Sequence, residues 1–316
     1  MKRISLLALL VAGVLLVVHC AGNTPDEAPP AVEVAPDETP TPSILTFEKV
    51  QYATIRGIAE EPVTLYAGTW LGEPAVPGSS SRPRIDLVDL MWEETDLDRD
   101  GDGDVGVLLS QATGGTGDLL YLAAIISDEG TPTNPSTVLV GDRVQVMGMS
   151  SEAGAISMDL VVAGPEDPMC CPTRKVRRSW KFSGGALSEG RSVELGTMSL
   201  ADLEGAWKLV EFARGDAVPM SVKITAVFDG GRLTGSAACN DYFTSYESPE
   251  PGRISLGMIG ATKKACIDAE AMLAESKYLG ILSKITSHGF HFGRLALNWR
   301  DGQALQTLMF ERRAAE

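Results

Sequence analysis

Histidine is nearly absent: three occur in 316 residues, at positions 19, 288 and 291, which leaves little material for imidazole catalysis or for zinc. Basic charge is also scarce. Twenty-seven Lys and Arg stand against 42 Asp and Glu, a formal charge of −15. Phosphate backbones demand concentrated positive charge, so nucleic acid is not expected as a partner. No Gly-x-Ser-x-Gly, His-Glu-x-x-His or phosphate-loop pattern occurs, and acidic pairs are too common to single out a glycosidase dyad. The expectation is a protein that is not an enzyme. What remains is ordinary for a folded chain: 44% apolar and 22% charged residues, with a length that accommodates about two domains of roughly 100 to 200 residues.

The N-terminus carries Lys2 and Arg3 followed by Ile4 to Val18, fifteen residues in which only Ser5 is polar. That is the charge and core of a signal peptide, residues 1–19, and it is shorter than the roughly 20 apolar residues a membrane-crossing helix needs. Cys20 follows directly. A Cys in that position resembles the bacterial lipoprotein signal, whose thiol is acylated and whose chain is cut before the Cys; the alternative is an ordinary signal peptide cut near Ala21 or Gly22. Acyl chains at about 0.8 kcal/mol per buried methylene hold a protein on a membrane without a spanning helix. Residues 24–43 add six Pro and five acidic residues with no Lys or Arg, a composition that stays extended. Residues 20–43 are thus read as anchor and tether, with a cell-envelope location facing periplasm or exterior.

The folded part is expected to be mainly β. Between residues 44 and 182 short strands are predicted at Leu45 to Ile55, Ile85 to Trp92, Val105 to Leu109, Leu120 to Ile126, Val144 to Met149 and Ile156 to Val162, with Gly72 to Pro83 and Asp128 to Pro135 as loops. Residues 183–197, with Gly184, Gly185 and Gly190, are read as a linker, and 198–316 as an α+β domain. There, Gly205 to Phe212 and Val222 to Phe228 are predicted strands, and Asp229-Gly230-Gly231 a hairpin turn. Ala271, Ala274, Tyr278, Leu282 and Ile285 fall on one face of a helix capped by Asp268, which is expected to pack on the sheet. Leu295, Leu297 and Trp299 alternate with polar residues before a turn at Asp301 and Gly302.

Three stretches carry a family resemblance: Leu203-Glu-Gly-Ala-Trp207-Lys-Leu209, Gly235-Ser-Ala-Ala-Cys239-Asn240-Asp-Tyr242, and Thr262-Lys-Lys-Ala-Cys266. Residues 198–313 resemble the META domain, also called HslJ-like, of bacterial envelope proteins. The resemblance implies a compact β-rich fold, a secreted or periplasmic setting and links to stress tolerance, and no established catalytic residues. Ala238 stands where the family usually places Gly. Residues 44–182 resemble uncharacterised envelope-lipoprotein segments through the Asp-rich loop, Gly141-Asp142-Arg143 and Asp167-Pro-Met-Cys170-Cys171-Pro172-Thr173.

Residues 93–104 contain seven acids and one base, Arg99. Asp96, Asp98, Asp100 and Asp104 fall at positions 1, 3, 5 and 9 of a calcium loop, Gly101 supplies the turn, and Asp102 offers a carbonyl at position 7. Val107 at position 12 replaces the Glu of an EF-hand, and the flanks read as strands. The loop therefore resembles those of FG-GAP repeats, with calcium in a structural role; a solvated acidic turn is the alternative. No other cofactor is expected. With Cys20 lipidated, four Cys remain in an oxidising compartment and allow three pairings. Cys239 with Cys266 lies within one domain and leaves Cys170 beside Cys171, as a vicinal bridge, a redox or metal switch, or partners of the other two. Arg174, Lys175, Arg177, Arg178 and Lys181 form a basic cluster, open to anionic lipid or polysaccharide or serving as the outer face of a strand. The reading is a non-catalytic, membrane-tethered envelope lipoprotein whose partner is an envelope protein or polysaccharide; the alternative is an Asp/Glu-dependent hydrolase in the N-terminal module.

Overall fold

The structure is a computed structural model that describes residues 45–313, apart from 75–76, 79–80, 115–116 and 169–170. The leader, Cys20, the tether and Cys170 lie outside the described residues. Every strand pairing among the described residues is antiparallel, in line with the mainly β expectation. Among these residues no helix is long and apolar enough to cross a membrane.

The chain opens with one turn of helix, α1 (Phe47–Val50), and a two-stranded pair, β1 (Thr54–Ile55) and β2 (Val63–Thr64). A single strand over Leu45 to Ile55 was expected. The buried residues Leu45, Val50, Ala53 and Ile55 do not alternate, and a helical turn followed by a short strand brings all four into one core cluster.

A five-stranded sheet follows in simple meander order: β3 (Thr69–Leu71), β4 (Arg84–Thr95), β5 (Asp104–Ala112), β6 (Asp118–Asp128) and β7 (Thr131–Asp142). Both its faces are covered. Val105, Val107 and Leu109 of β5 pack with Leu45, Ile55 and Leu65, whereas Leu108, between them, joins the opposite cluster with Ile156, Met158 and Trp180. That double burial is why β5 reads as an unbroken apolar run. Strand β7 occupies part of a stretch expected as loop because of Pro132 and Pro135. It is the last strand in the sheet order, where a missing N–H is tolerated.

The second sheet holds β8 (Gln145–Glu152), β9 (Ala155–Val162), β10 (Arg174–Ser183), β11 (Ala186–Glu189) and β12 (Val193–Thr197), with both β11 and β12 pairing β10. The stretch 183–197, read as a linker, is thus largely strand. Gly184 and Gly185, at φ 60° and 81°, form the two-residue turn between β10 and β11.

A 3-10 turn, Leu200–Leu203, leads into the ten-stranded sheet. Its elements are β13 (Gly205–Ala213), β14 (Asp216–Ala217), β15 (Thr225–Asp229), β16 (Arg232–Ser236), β17 (Asp241–Glu247), β18 (Ser255–Leu256), β19 (Gly260–Ala261), β20 (Ser287–His291), β21 (Arg294–Asp301) and β22 (Ala304–Arg312). Along the sheet the main order is β18-β17-β16-β15-β13-β22-β21-β20. A bridge from Arg253 to Ser287 brings the two ends of that order together, so the sheet curls on itself. Helix α2 (Ala269–Leu282) starts at the expected cap, where the Asp268 carboxylate accepts from Glu270 N and Ala271 N. Its buried face, Ala274, Tyr278, Ile281 and Leu282, sits in the core with Trp207, Tyr242 and Phe310. The hairpin expected at Asp229 is present, with Gly230 and Gly231 both at positive φ. The C-terminal hairpin turns on Gly302 and Gln303, one residue beyond the expected pair.

Candidate functional site

The Asp-rich stretch is the turn between β4 and β5, and its carboxylates are organised by backbone N–H groups. Asp96 accepts from Arg99 N at 2.6 Å and from Gly101 N at 3.2 Å, Asp98 from Asp100 N at 3.2 Å, and Asp100 from Asp102 N at 2.8 Å. Gly101 and Arg99 take positive φ, 98° and 69°, to allow this winding. Asp104 differs from the others in being fully buried. One of its oxygens accepts from Leu97 N at 2.8 Å and Asp98 N at 3.3 Å, the other from Ser127 N at 2.9 Å, which ties the turn to the end of β6. Burial lifts its pKa above the ordinary carboxylate value, against the pull of those three N–H groups. Partial burial lifts Asp98 as well, opposed by the Asp100 N–H and helped by the neighbouring charges of Asp100 and Asp96.

Asp96, Asp98 and Asp104 each present an oxygen within 4.8 Å of the others. This is the distance scale of a single hard cation with oxygen ligands. Asp100 and Asp102, which the sequence placed in the same ligand set, do not join that cluster.

Beside the turn lies a cavity of about 650 Å³ between the first sheet and the β10–β11 hairpin. Leu97, Ile126 and Phe182 supply its apolar lining, Asp98, Arg99 and Lys181 its charges, and Gly184 and Gly185 part of its rim. Such a volume lies within the range of small-molecule sites, roughly 300 to 1,000 Å³.

The basic cluster resolves residue by residue. Arg174 faces Glu194, Lys175 pairs with Asp202, Arg177 makes a two-pronged contact with Asp159 at 2.6 and 2.7 Å, and Arg178 reaches Glu189 and the Val140 carbonyl. These four are largely offset by acids, as the strand-face reading expected. Among the described residues Lys181 is left without an ion pair, and it lines the cavity.

The Cys-containing segments are braced. Asp167 accepts from Gly164 N at 2.8 Å, Thr173 N at 2.7 Å and Thr173 Oγ1 at 3.0 Å, so it closes the loop that bears the adjacent pair, and these bonds hold its pKa down. Cys171 is disulfide-bonded; Cys170 is outside the described residues. Cys239 and Cys266 are bridged to one another. Next to them, Asn240 donates to Glu275 Oε1 from its side-chain amide at 2.8 Å and to Oε2 from its backbone at 2.6 Å. Its carbonyl oxygen accepts from Thr262 Oγ1 at 2.8 Å and Lys264 N at 2.7 Å. Glu275 escaped notice in the sequence because its partners are some 35 positions away and nothing local marks it. Ala238 has φ 97°, the left-handed backbone that explains why Gly is the usual residue there. Gly235 has no alternative: a Cβ would lie 1.9 Å from the Thr225 carbonyl oxygen.

Tyr242 donates to the Thr225 carbonyl at 3.0 Å, so the 2.7 Å contact with Tyr278 has Tyr278 as donor. Burial raises both phenol pKa values. His288 and His291 both stand on β20. His288 is buried, neither of its ring nitrogens has a hydrogen-bond partner among the described residues, and burial lowers its pKa to about 4.

These features define a mainly antiparallel β protein in which a sheet curled around one helix is locked by a Cys–Asn motif. Residues 199–312 match the META domain family, within one residue of the start assigned from the motifs. Among solved structures, the NMR structure of a protein from Burkholderia xenovorans is similar, with 25% identity, covering 40% of this chain and 96% of that one at a TM-score of 0.31. No curated protein matches the chain.

Proposed function

We propose that the chain is a non-catalytic lipoprotein of the bacterial cell envelope, held at a membrane through Cys20 and the tether at 24–43, whose folded unit acts by binding or envelope maintenance. The observation that carries the reading is how the META motifs are used. Asn240, Thr262, Glu275 and the Cys239–Cys266 bridge are bonded to one another and brace the fold. The apolar leader ending at Cys20 supports the anchor, and the Asp96, Asp98 and Asp104 cluster supports a structural calcium that would offset the acidity of the turn. A hydrolase in the N-terminal module would need two carboxylates facing one cleft. Asp98 lines the cavity, whereas Asp104 is committed to three backbone N–H groups, and this favours binding.

The test is expression of the full chain in a bacterial host. The wild type is expected to partition into detergent with a mass increment of fatty acyl chains, and Cys20→Ser to be released; a soluble, unacylated wild type rejects the anchor. Calcium added to the same protein is expected to give heat by calorimetry and to raise the melting temperature. With neither effect at millimolar calcium, the turn is only acidic.

A further inference from the structure

Arg99 and Lys181 come from parts of the chain far apart in sequence, the acidic turn and the end of the basic strand, yet both line the cavity beside the β10–β11 hairpin. Neither makes an ion pair among the described residues, while the other four cations of the basic strand face acids. In a chain of net charge −15, two cations outnumber the one carboxylate, Asp98, among the residues lining this concave site. The lining is apolar as well: Leu97 and Ile126 are buried, and Phe182, half-buried, presents an aromatic ring. Guanidinium and ammonium groups beside an apolar wall suit an organic anion better than either an inorganic ion or a neutral apolar molecule, because each half of such a ligand finds its complement.

We propose that this cavity binds a drug-sized organic anion, its phosphate or carboxylate held by Arg99 and Lys181 and its apolar body lying against Phe182, Leu97 and Ile126. The inference rests on the non-catalytic binding role proposed above and names the ligand class of that role; it requires neither the lipid anchor nor calcium. Asp98, at the edge of the same cavity, works against the anion, and a cation held by the turn would remove that opposition. Binding is therefore expected to be tighter in calcium than in EDTA.

The probe is 2-naphthyl phosphate, with 2-naphthol as its neutral congener, titrated into the full chain by calorimetry with detergent-only heats subtracted. The expected result is saturable one-to-one binding of the phosphate, at least tenfold tighter than naphthol. In the double variant Arg99→Gln with Lys181→Gln, the phosphate is expected to bind at least tenfold more weakly, with naphthol affinity and melting temperature unchanged. Ser183→Trp, which places a ring at the cavity wall, is expected to abolish binding of both probes. No saturable phosphate binding in wild type, undiminished affinity in the double variant, or full affinity in Ser183→Trp overturns the proposal. Release of naphthol from the bound phosphate would instead overturn the non-catalytic reading and leave the binding site standing.

Discussion

His288 faces the interior with two ring nitrogens and no hydrogen-bond partner for either among the described residues, beside an Asp202 charge that only partly counters the loss of water. Its folded pKa of about 4 lies below the unfolded value of 6.5, so the folded state holds it neutral while the unfolded chain takes up a proton. The stability this ring permits is complete above pH 6.5 and is lost as pH falls toward 4. Urea unfolding at pH 7.5 and pH 5 is expected to show wild type losing roughly 2 kcal/mol more than His288→Leu over that interval. Equal losses in the two proteins would mean that His288 is solvated in the folded state. Asp104 is the contrasting residue. Sequence spacing presented it as one more calcium ligand of a periodic loop, and only the fold shows it buried and holding Leu97, Asp98 and Ser127 by their N–H groups. No local pattern separates Asp104 from Asp100, since what distinguishes them is the sheet that closes over one and not the other.

Helix α2 and the segment before it are fastened to the turn after β16 by two independent devices, the Cys239–Cys266 disulfide and the Glu275 carboxylate bound to Asn240. The bridge spans 27 positions, and loop entropy assigns a closure of that length about 3 kcal/mol. Changing both Cys to Ser is expected to lower the melting temperature while circular dichroism keeps its native shape, because Glu275 still holds the turn. Loss of the fold would show that the hydrogen bonds alone do not suffice. The helix itself was legible in advance, since its cap and its apolar spacing are encoded within a few residues. Strand β7 was not, because Pro132 and Pro135 argue against a strand unless it lies at an edge, and edge position is a property of the assembled sheet.

At the scale of the molecule, the two stretches that the sequence divides near Gly184 form part of one compact unit. Gln145 of β8 accepts from Phe290 N of β20 at 2.8 Å, Met198 N donates to the Thr173 carbonyl at 2.8 Å, and Lys175 pairs with Asp202. Val161 of β9 packs in the same core as Trp207 and Tyr278. Heat unfolding is therefore expected as one calorimetric transition. Gln145→Ala, which strands a backbone N–H at about 1 to 3 kcal/mol, should move that whole transition down. Two separable transitions, one of them unmoved, would show the halves to be independent. The amino-acid sequence by itself determined the β character, the capped helix, the Gly230–Gly231 hairpin and the extent of the META match, because each depends on spacing, turn chemistry or motif within a short stretch, whereas among the three cysteine pairings it allowed, the structure shows Cys239 with Cys266. Tertiary structure alone decided that both faces of β5 are covered, that Asp104 is a clamp, that β8 and β9 share a core with the META sheet, and that Arg99 and Lys181 meet at one cavity. Those outcomes depend on which distant surfaces pack together, and burial and electrostatic environment come into being only when they do.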